Sequence, residues 1–156
     1  EVHAIDVGAP LLRYAHARSE LLGARVHYSQ QNAEHANLPN GRFDLVVSHV
    51  FMHETTRSAL RAIFRECYRL LRSGGVMAHL EVPFRKELMS PWMKVKSARE
   101  GRYSQEPFWI GLTGADLVGD AVCLQPSRGL LAAGDRRLRP TTGQLFARCD
   151  LRVRQP

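Results

Sequence analysis

Residues 2–10 read Val-His-Ala-Ile-Asp-Val-Gly-Ala-Pro, a short strand-like run that ends in an acid and leads into a helix. The acid is Asp6. Pro10 suits the first turn of the helix, where its missing backbone N–H costs no hydrogen bond. In nucleotide-binding α/β folds, a carboxylate at the carboxyl end of a strand accepts hydrogen bonds from both hydroxyls of a ribose. Asp6 therefore predicts a site for a cofactor that contains adenosine.

The segment that normally precedes such an acid is not in this sequence. A glycine-rich turn belongs about 20 residues upstream of the acid, whereas the sequence starts at Glu1 without an initiator methionine. We therefore expect a fragment that lacks the first strand of the sheet and its glycine-rich turn.

Helical and strand periods alternate after Asp6. Apolar residues at helical spacing between Pro10 and Gly23 predict a crossover helix that ends at the glycine, and residues 25–29 predict a short strand. Residues 43–50 are nearly continuously apolar, which is typical of a strand buried on both faces of a parallel sheet.

The same alternation continues to residue 81. Thr55 or Thr56 can cap a second helix, whose apolar face is predicted to end at the Gly74-Gly75 turn. Residues 76–81 then predict another strand. Two strand–helix–strand units joined by a loop predict an α/β fold, a Rossmann-like, doubly wound and mostly parallel sheet.

Composition narrows the class of protein. Seven arginines and two acids from residue 123 onward account for most of the net charge of +7, and Phe146 is the one aromatic residue among them. This pattern favours a solvated basic surface over a nucleic-acid interface. Three scattered cysteines do not indicate a disulfide framework, so we expect a cytoplasmic protein. No apolar run is long enough for a membrane span.

Four blocks of the sequence carry a resemblance to a known family. They are residues 2–6, residues 31–34 with Leu38-Pro39, residues 43–49 and residues 70–76. Their order and spacing resemble the class I S-adenosylmethionine-dependent methyltransferases, and within them the small-molecule enzymes called type eleven. The resemblance covers residues 1–83. It implies S-adenosylmethionine as the cofactor and a small molecule as the methyl acceptor.

The resemblance also implies cofactor-binding roles for four residues near the amino terminus. Asp6 would bind the ribose hydroxyls, and Val7 would lie against the adenine face. Asn32 would contact the adenine amino group, where the family commonly has Asp, and Ala33 would offer its backbone N–H to the ring. The simpler alternatives are that Asp6 forms only a turn and Asn32 only an Asx turn.

A second group of candidates lies at the end of the buried strand. The resemblance implies that Ser48 and His49 line the crevice in which open α/β sheets bind ligands. An imidazole there can act as a general base or orient the acceptor, so we predict a catalytic role for His49 or His53, with ordinary packing as the alternative. Glu54 follows His53, so the order does not match His-Glu-x-x-His, and no metal site is predicted.

The organisation expected for the whole chain is one partial methyltransferase domain, residues 1–156. Residues 1–83 would form the cofactor-binding core, residues 84–122 a lid over the substrate, and residues 123–156 a divergent basic segment. The aromatic residues after Pro83 fit core packing slightly better than a lid. The sequence leaves the oligomeric state open.

Two alternatives to an active methyltransferase remain. One is a non-catalytic or truncated methyltransferase-like remnant. The other is a nicotinamide-dependent dehydrogenase, which would use the same ribose-binding acid. No tyrosine in this chain has a lysine four residues later, which disfavours the dehydrogenase.

Overall fold

The structure is a computed structural model that describes residues 1–81, 90–103, 108, 130–133 and 147–153. The chain divides into two compact units, Glu1–Leu38 and Pro39–Pro156. The boundaries expected near residues 83 and 122 stay predictions.

The first unit is a strand–helix–strand crossover. It consists of β1 (His3–Asp6), α1 (Ala9–Leu21) and β2 (His27–Gln30). The two strands pair in parallel over their full length. Their carboxyl ends therefore lie at the same edge of the pair, as the sequence predicts.

Both ends of α1 follow from local sequence. Pro10 occupies the first turn. At the other end Gly23 has a φ of 66°, a left-handed conformation that favours glycine. The N–H of Gly23 donates to the carbonyl of Glu20 at 3.0 Å, and that of Ala24 donates to Ser19 at 2.8 Å. This pair of bonds is a Schellman cap, so the predicted role of Gly23 is confirmed.

The packed face of α1 differs from the predicted apolar stripe. Ser19 is buried and Leu12 is half-buried, whereas Leu11, Tyr14 and Leu21 are exposed. The reason is that leucines occur on more than one side of this short helix. Periodicity alone therefore could not choose the side that packs on the strands.

The second unit contains a four-stranded sheet and two α-helices in its described part. Its elements are β3 (Phe43–His49), a 3-10 turn (Met52–Glu54), α2 (Arg57–Leu70), β4 (Leu71–Glu81), α3 (Pro91–Tyr103), β5 (Leu130–Ala133) and β6 (Ala147–Val153). The strand order is β3-β4-β6-β5. β3 and β4 are parallel, whereas β6 is antiparallel to both of its neighbours.

The core of this unit lies where α2 packs on the sheet. Thr56 caps the helix, since its hydroxyl accepts a hydrogen bond from the N–H of Ala59 at 3.1 Å. The apolar residues predicted at helical spacing are all buried: Leu60, Ile63, Phe64, Cys67 and Leu71. The same core also contains Met52, Tyr68, Leu70 and Met77. Burial raises the pKa of the Cys67 thiol to about 12.

The Gly74-Gly75 pair lies inside β4, not at the end of the helix. α2 ends at Leu70, and the strand begins at the next residue. Gly74 has a φ of 78°, and the register between β3 and β4 shifts beside the pair, between Phe43 and Leu45. The glycines therefore accommodate a bulge in a strand, which corrects the prediction of a simple helix-to-strand turn.

The prediction that β3 is buried on both faces is wrong for the part of the chain that the structure describes. Leu45 and Val47 are 55% and 64% exposed, while the alternate residues Val46 and Ser48 are half-buried. Successive side chains of a strand point to opposite faces. One face of β3 is thus covered and the other is exposed to solvent. A continuous apolar run does not distinguish this arrangement from burial on both faces.

The later part of the chain departs most from expectation. Trp92 and Tyr103 of α3 are exposed and so is Phe108, which corrects the prediction that these aromatic residues pack in a core. β5 lies in a stretch of sequence with no clear period. Residues 147–153, in contrast, alternate between apolar and polar side chains, a pattern that predicts a half-buried strand, and β6 confirms it. The sequence of residues 113–120 predicts a capped turn that enters a helix, and this segment lies outside the described residues. Within those residues, no helix has the length and apolar character that crossing a bilayer requires.

Candidate functional site

Asp6 ends β1 in a half-buried position, and its carboxylate shapes the turn that follows. Oδ1 of Asp6 accepts a hydrogen bond from the N–H of Gly8 at 2.6 Å. A Cβ added at Gly8 would lie 3.0 Å from that oxygen, so glycine allows the close approach. The carbonyl of Asp6 accepts from the N–H of Gln31 at 3.0 Å, which joins this turn to the loop after β2.

The loop after β2 holds Asn32 and Ala33. Oδ1 of Asn32 accepts a hydrogen bond from the N–H of Glu34 at 2.9 Å, which is the Asx-turn geometry considered as the simpler role. Asn32 is exposed and Ala33 is half-buried. Val7 is 67% exposed, and its carbonyl accepts from the side chain of Gln30 at 2.9 Å. The structure thus brings Asp6, Val7 and this loop to one edge of the first unit.

Ser48 and His49, at the end of β3, point to opposite sides of the strand. The hydroxyl of Ser48 is hydrogen-bonded to Nδ1 of His79 on β4, at 2.8 Å. His49 is exposed and pairs in register with Leu80. The two residues therefore do not share a face, because successive side chains of a strand alternate.

A buried carboxylate lies at the carboxyl end of β4, next to the end of β3 that carries Ser48 and His49. Glu81, the last residue of β4, is 1% exposed. Its Oε2 accepts hydrogen bonds from the N–H groups of Phe51 at 3.0 Å and Met52 at 2.6 Å, while Oε1 lies 2.9 Å from Nδ1 of His53. Hydrogen bonds of this number and kind make the burial of a carboxylate tolerable. Glu81 therefore fixes the 3-10 turn that carries His53.

The contact with Glu81 also defines how His53 is oriented. A carboxylate that already accepts two backbone N–H bonds can only accept, so we assign the donated proton to Nδ1 of the imidazole. Nε2 is then the ring nitrogen that carries no proton in the neutral imidazole. His53 itself is only 3% exposed, and its Nε2 lies 4.0 Å from a carboxylate oxygen of Glu54.

His79 is a second buried imidazole, two residues before Glu81 in β4 and on the same face of the sheet. Burial lowers the pKa of His79 from 6.5 to about 4, while the charge of Glu81 opposes the shift. Its ring meets that of Phe64 edge to face at 5.6 Å, and its Nε2 has no hydrogen-bond partner among the described residues. His79 is therefore a neutral imidazole that packs as part of the core.

The backbone between β3 and the 3-10 turn adopts an uncommon conformation. Val50 has a φ of 49°, a left-handed value that costs energy for a β-branched residue. Its N–H donates to the carbonyl of Leu80 at 2.7 Å. This bond holds the chain against β4 just before it turns toward Glu81.

Glu81 and His79 are the site residues that sequence reasoning missed. Both occupy alternate positions of β4 with Met77, and all three are buried. The sequence did contain a signal for them: His79 and Glu81 are polar residues at the alternate positions of a strand that face the interior. Such residues need partners, and a carboxylate at the last inward position marks a candidate site.

Residues 1–75 of this chain match the protein family described as a methyltransferase domain. The match includes all the residues predicted to bind a cofactor or to act in catalysis. It confirms the family resemblance that the sequence predicted, and it disfavours the dehydrogenase alternative. Among the curated proteins, none matches this chain.

Solved structures share the fold. A SAM-dependent methyltransferase from Methanosarcina mazei is 14% identical with a TM-score of 0.65, over 98% of this chain and 81% of that protein. A SAM-dependent methyltransferase from Aquifex aeolicus is 17% identical with a TM-score of 0.62, over 98% of this chain and 69% of that protein. At these identities the likeness concerns the fold, so the α/β, Rossmann-like class is confirmed.

Proposed function

Because residues 1–75 match a methyltransferase domain, we propose that this chain transfers a methyl group from S-adenosylmethionine to a small-molecule acceptor. One observation carries the proposal. Asp6 lies at the carboxyl end of a parallel strand, beside the loop that holds Asn32 and Ala33. This is the position at which α/β folds bind the ribose of a nucleotide.

The side chains of the first unit fit the adenosine part of the cofactor. The bond from Gly8 occupies one acceptor position of the Asp6 carboxylate, which has about four, so capacity remains for both ribose hydroxyls. Asn32 likewise keeps an acceptor position on Oδ1 for an adenine amino group, although it lacks the charge of Asp. Val7 offers exposed apolar surface for the adenine ring.

The second unit supplies the residues proposed for chemistry. When bound, S-adenosylmethionine would supply the methyl group that is transferred. Orienting the acceptor in line can contribute up to about 7–11 kcal/mol to lowering the barrier, so few side chains are obligatory. Nε2 of His53 or the exposed imidazole of His49 would take the proton that an acceptor hydroxyl or amine releases. Residues 84–122 stay the proposed lid.

The test is calorimetric titration of the chain with S-adenosylmethionine and with its demethylated product. Asp6→Ala should weaken binding at least tenfold, because each hydrogen bond to a charged group contributes roughly 1.5–3 kcal/mol before water replaces it. Asp6→Asn retains an acceptor for the N–H of Gly8 but loses the charge. It should therefore preserve the turn and still weaken binding.

Asp44→Ala is the matched control, because Asp44 is an exposed acid of β3 that pairs with Arg72. Its affinity for the cofactor should equal that of the unchanged chain. Unchanged affinity in Asp6→Ala would remove Asp6 from the site.

A non-catalytic methyltransferase-like module is the second candidate. The bonds that tie Asp6 and Asn32 to their own turns favour it, since they give both side chains a purely structural use. A well-folded chain that binds neither form of the cofactor would support this candidate over the enzyme.

A further inference from the structure

Two histidines lie side by side at the amino ends of β1 and β2. His3 and His27 are partners in the parallel register, so their side chains project from the same face. Their rings are stacked, with centroids 4.9 Å apart and an interplanar angle of 26°. Glu1 lies two residues before His3 and reaches both rings.

The distances within this cluster suit a bound ion. Oε1 of Glu1 lies 3.3 Å from Nε2 of His3 and 3.4 Å from Nε2 of His27, and the ligand atoms of the three residues all lie within 4.8 Å of one another. Zinc–nitrogen and zinc–oxygen bonds of about 2.0–2.1 Å place tetrahedral ligand atoms roughly 3.3–3.4 Å apart. Two of the three separations therefore already match a tetrahedral site.

The donor set selects the class of metal. Two imidazole nitrogens and one carboxylate oxygen suit zinc and neighbouring transition ions, whereas calcium and magnesium prefer oxygen ligands alone. We propose that Glu1, His3 and His27 bind Zn²⁺, with a fourth position open to water. The sequence predicted no metal site, because these ligands come from two separate segments of the chain and share no local motif.

This site is separate from the proposed cofactor-binding residues. His3 begins β1 and Asp6 ends it, so the two lie about 10 Å apart along the strand. Zinc bound here would tie β1 to β2 at their amino ends. Its predicted effect is on the stability of the first unit and not on the affinity for the cofactor.

Titration of the full 156-residue chain with Zn²⁺ tests the proposal. We expect one bound equivalent, a rise in thermal midpoint with Zn²⁺, and binding that weakens in acid because the imidazoles must be unprotonated. His3→Gln and His27→Gln should each weaken Zn²⁺ binding at least 30-fold, and Glu1→Gln about tenfold. Co²⁺ substituted for Zn²⁺ should give the intense visible absorption of a tetrahedral site.

His16→Gln is the control, because His16 faces Glu20 at 3.5 Å in a two-ligand pair of the same unit. It should leave Zn²⁺ affinity unchanged, and circular dichroism should show the same helix content in every variant. The proposal is overturned if the unchanged chain binds no Zn²⁺, or if His3→Gln and His27→Gln both bind Zn²⁺ as tightly as the unchanged chain does.

Discussion

At the scale of single residues, the two buried histidines of the second unit differ in their hydrogen-bond partners. His53 donates to the carboxylate of Glu81, whereas His79 has only the hydroxyl of Ser48 as a hydrogen-bond partner among the described residues. Burial without an adjacent bonded carboxylate favours the neutral ring. The two residues therefore invite different experiments, one on stability and one on turnover.

The lowered pKa of His79 predicts a loss of stability in acid. Its pKa is about 4 in the folded chain and near 6.5 when unfolded, so between these values the unfolded state binds more protons. Stability is therefore retained above pH 6.5 and falls by up to about 3 kcal/mol as the pH drops to 4. Urea unfolding at several pH values should show this slope, and His79→Gln should remove it.

His16→Gln supplies the comparison for that experiment, since His16 is exposed on α1. Its free energy of unfolding should keep the pH dependence of the unchanged chain. An equal slope in His79→Gln would show that His79 is not the group responsible.

The proposed role of His53 predicts a selective loss of turnover. If its Nε2 is the base, His53→Gln should lower kcat about 100-fold and leave cofactor affinity nearly unchanged. Release of the demethylated cofactor, measured with an acceptor found by screening small molecules, gives the readout. Glu81→Gln should also lower kcat, because the carboxylate orients the ring of His53.

His49→Gln tests the other candidate base. His35→Gln serves as the control, because His35 is exposed and has no proposed role in catalysis. Wild-type turnover in the His49 and His53 variants alike would show that neither histidine is the base. A loss confined to His49→Gln would move the proposed base to the exposed face of β3.

At the scale of elements, the sequence predicted the features that depend on contacts between residues close in the chain, such as the ends of helices. Pro10, Gly23 and Thr56 marked the ends of helices because caps depend on neighbours within a few residues. The faces on which α1 and β3 pack depend instead on segments distant in sequence. The predictions for those two faces were wrong for this reason. β5 escaped prediction since its stretch has no clear period.

The bulge in β4 predicts which of two adjacent glycines is sterically confined. A Cβ at Gly75 would lie 2.9 Å from the carbonyl oxygen of Arg72 and 3.0 Å from that of Phe43, whereas one at Gly74 meets nothing within 4 Å. Gly75→Ala should therefore cost about 1–3 kcal/mol through crowding of backbone atoms. Gly74→Ala should cost about 1–2 kcal/mol through its positive φ alone. Chemical denaturation measures both.

Gly23→Ala is the reference for backbone conformation, because Gly23 also has a positive φ and open space around it. It should resemble Gly74→Ala in cost. A neutral Gly75→Ala would contradict the crowding argument.

At the scale of the whole molecule, the order of strands and helices was predictable to residue 81, and the grouping of polar residues was not. Asp6 followed from its place at the end of a strand. The role of Glu81 could be recognised only from the pairing of β3 with β4, because that pairing sets the distance between Glu81 and residues 51–53. The Glu1, His3 and His27 cluster likewise exists only once two strands are in register. Sequence reveals elements more readily than the contacts between them.

Val50 lowers the stability of the chain and restricts the backbone just before His53. Glycine would adopt the φ of 49° without penalty, so the valine there lowers stability. A β-branched residue, however, restricts the backbone more than glycine and keeps the approach to His53 well defined. Replacing Val50 with glycine should therefore raise thermostability and loosen the backbone that carries His53, the proposed base.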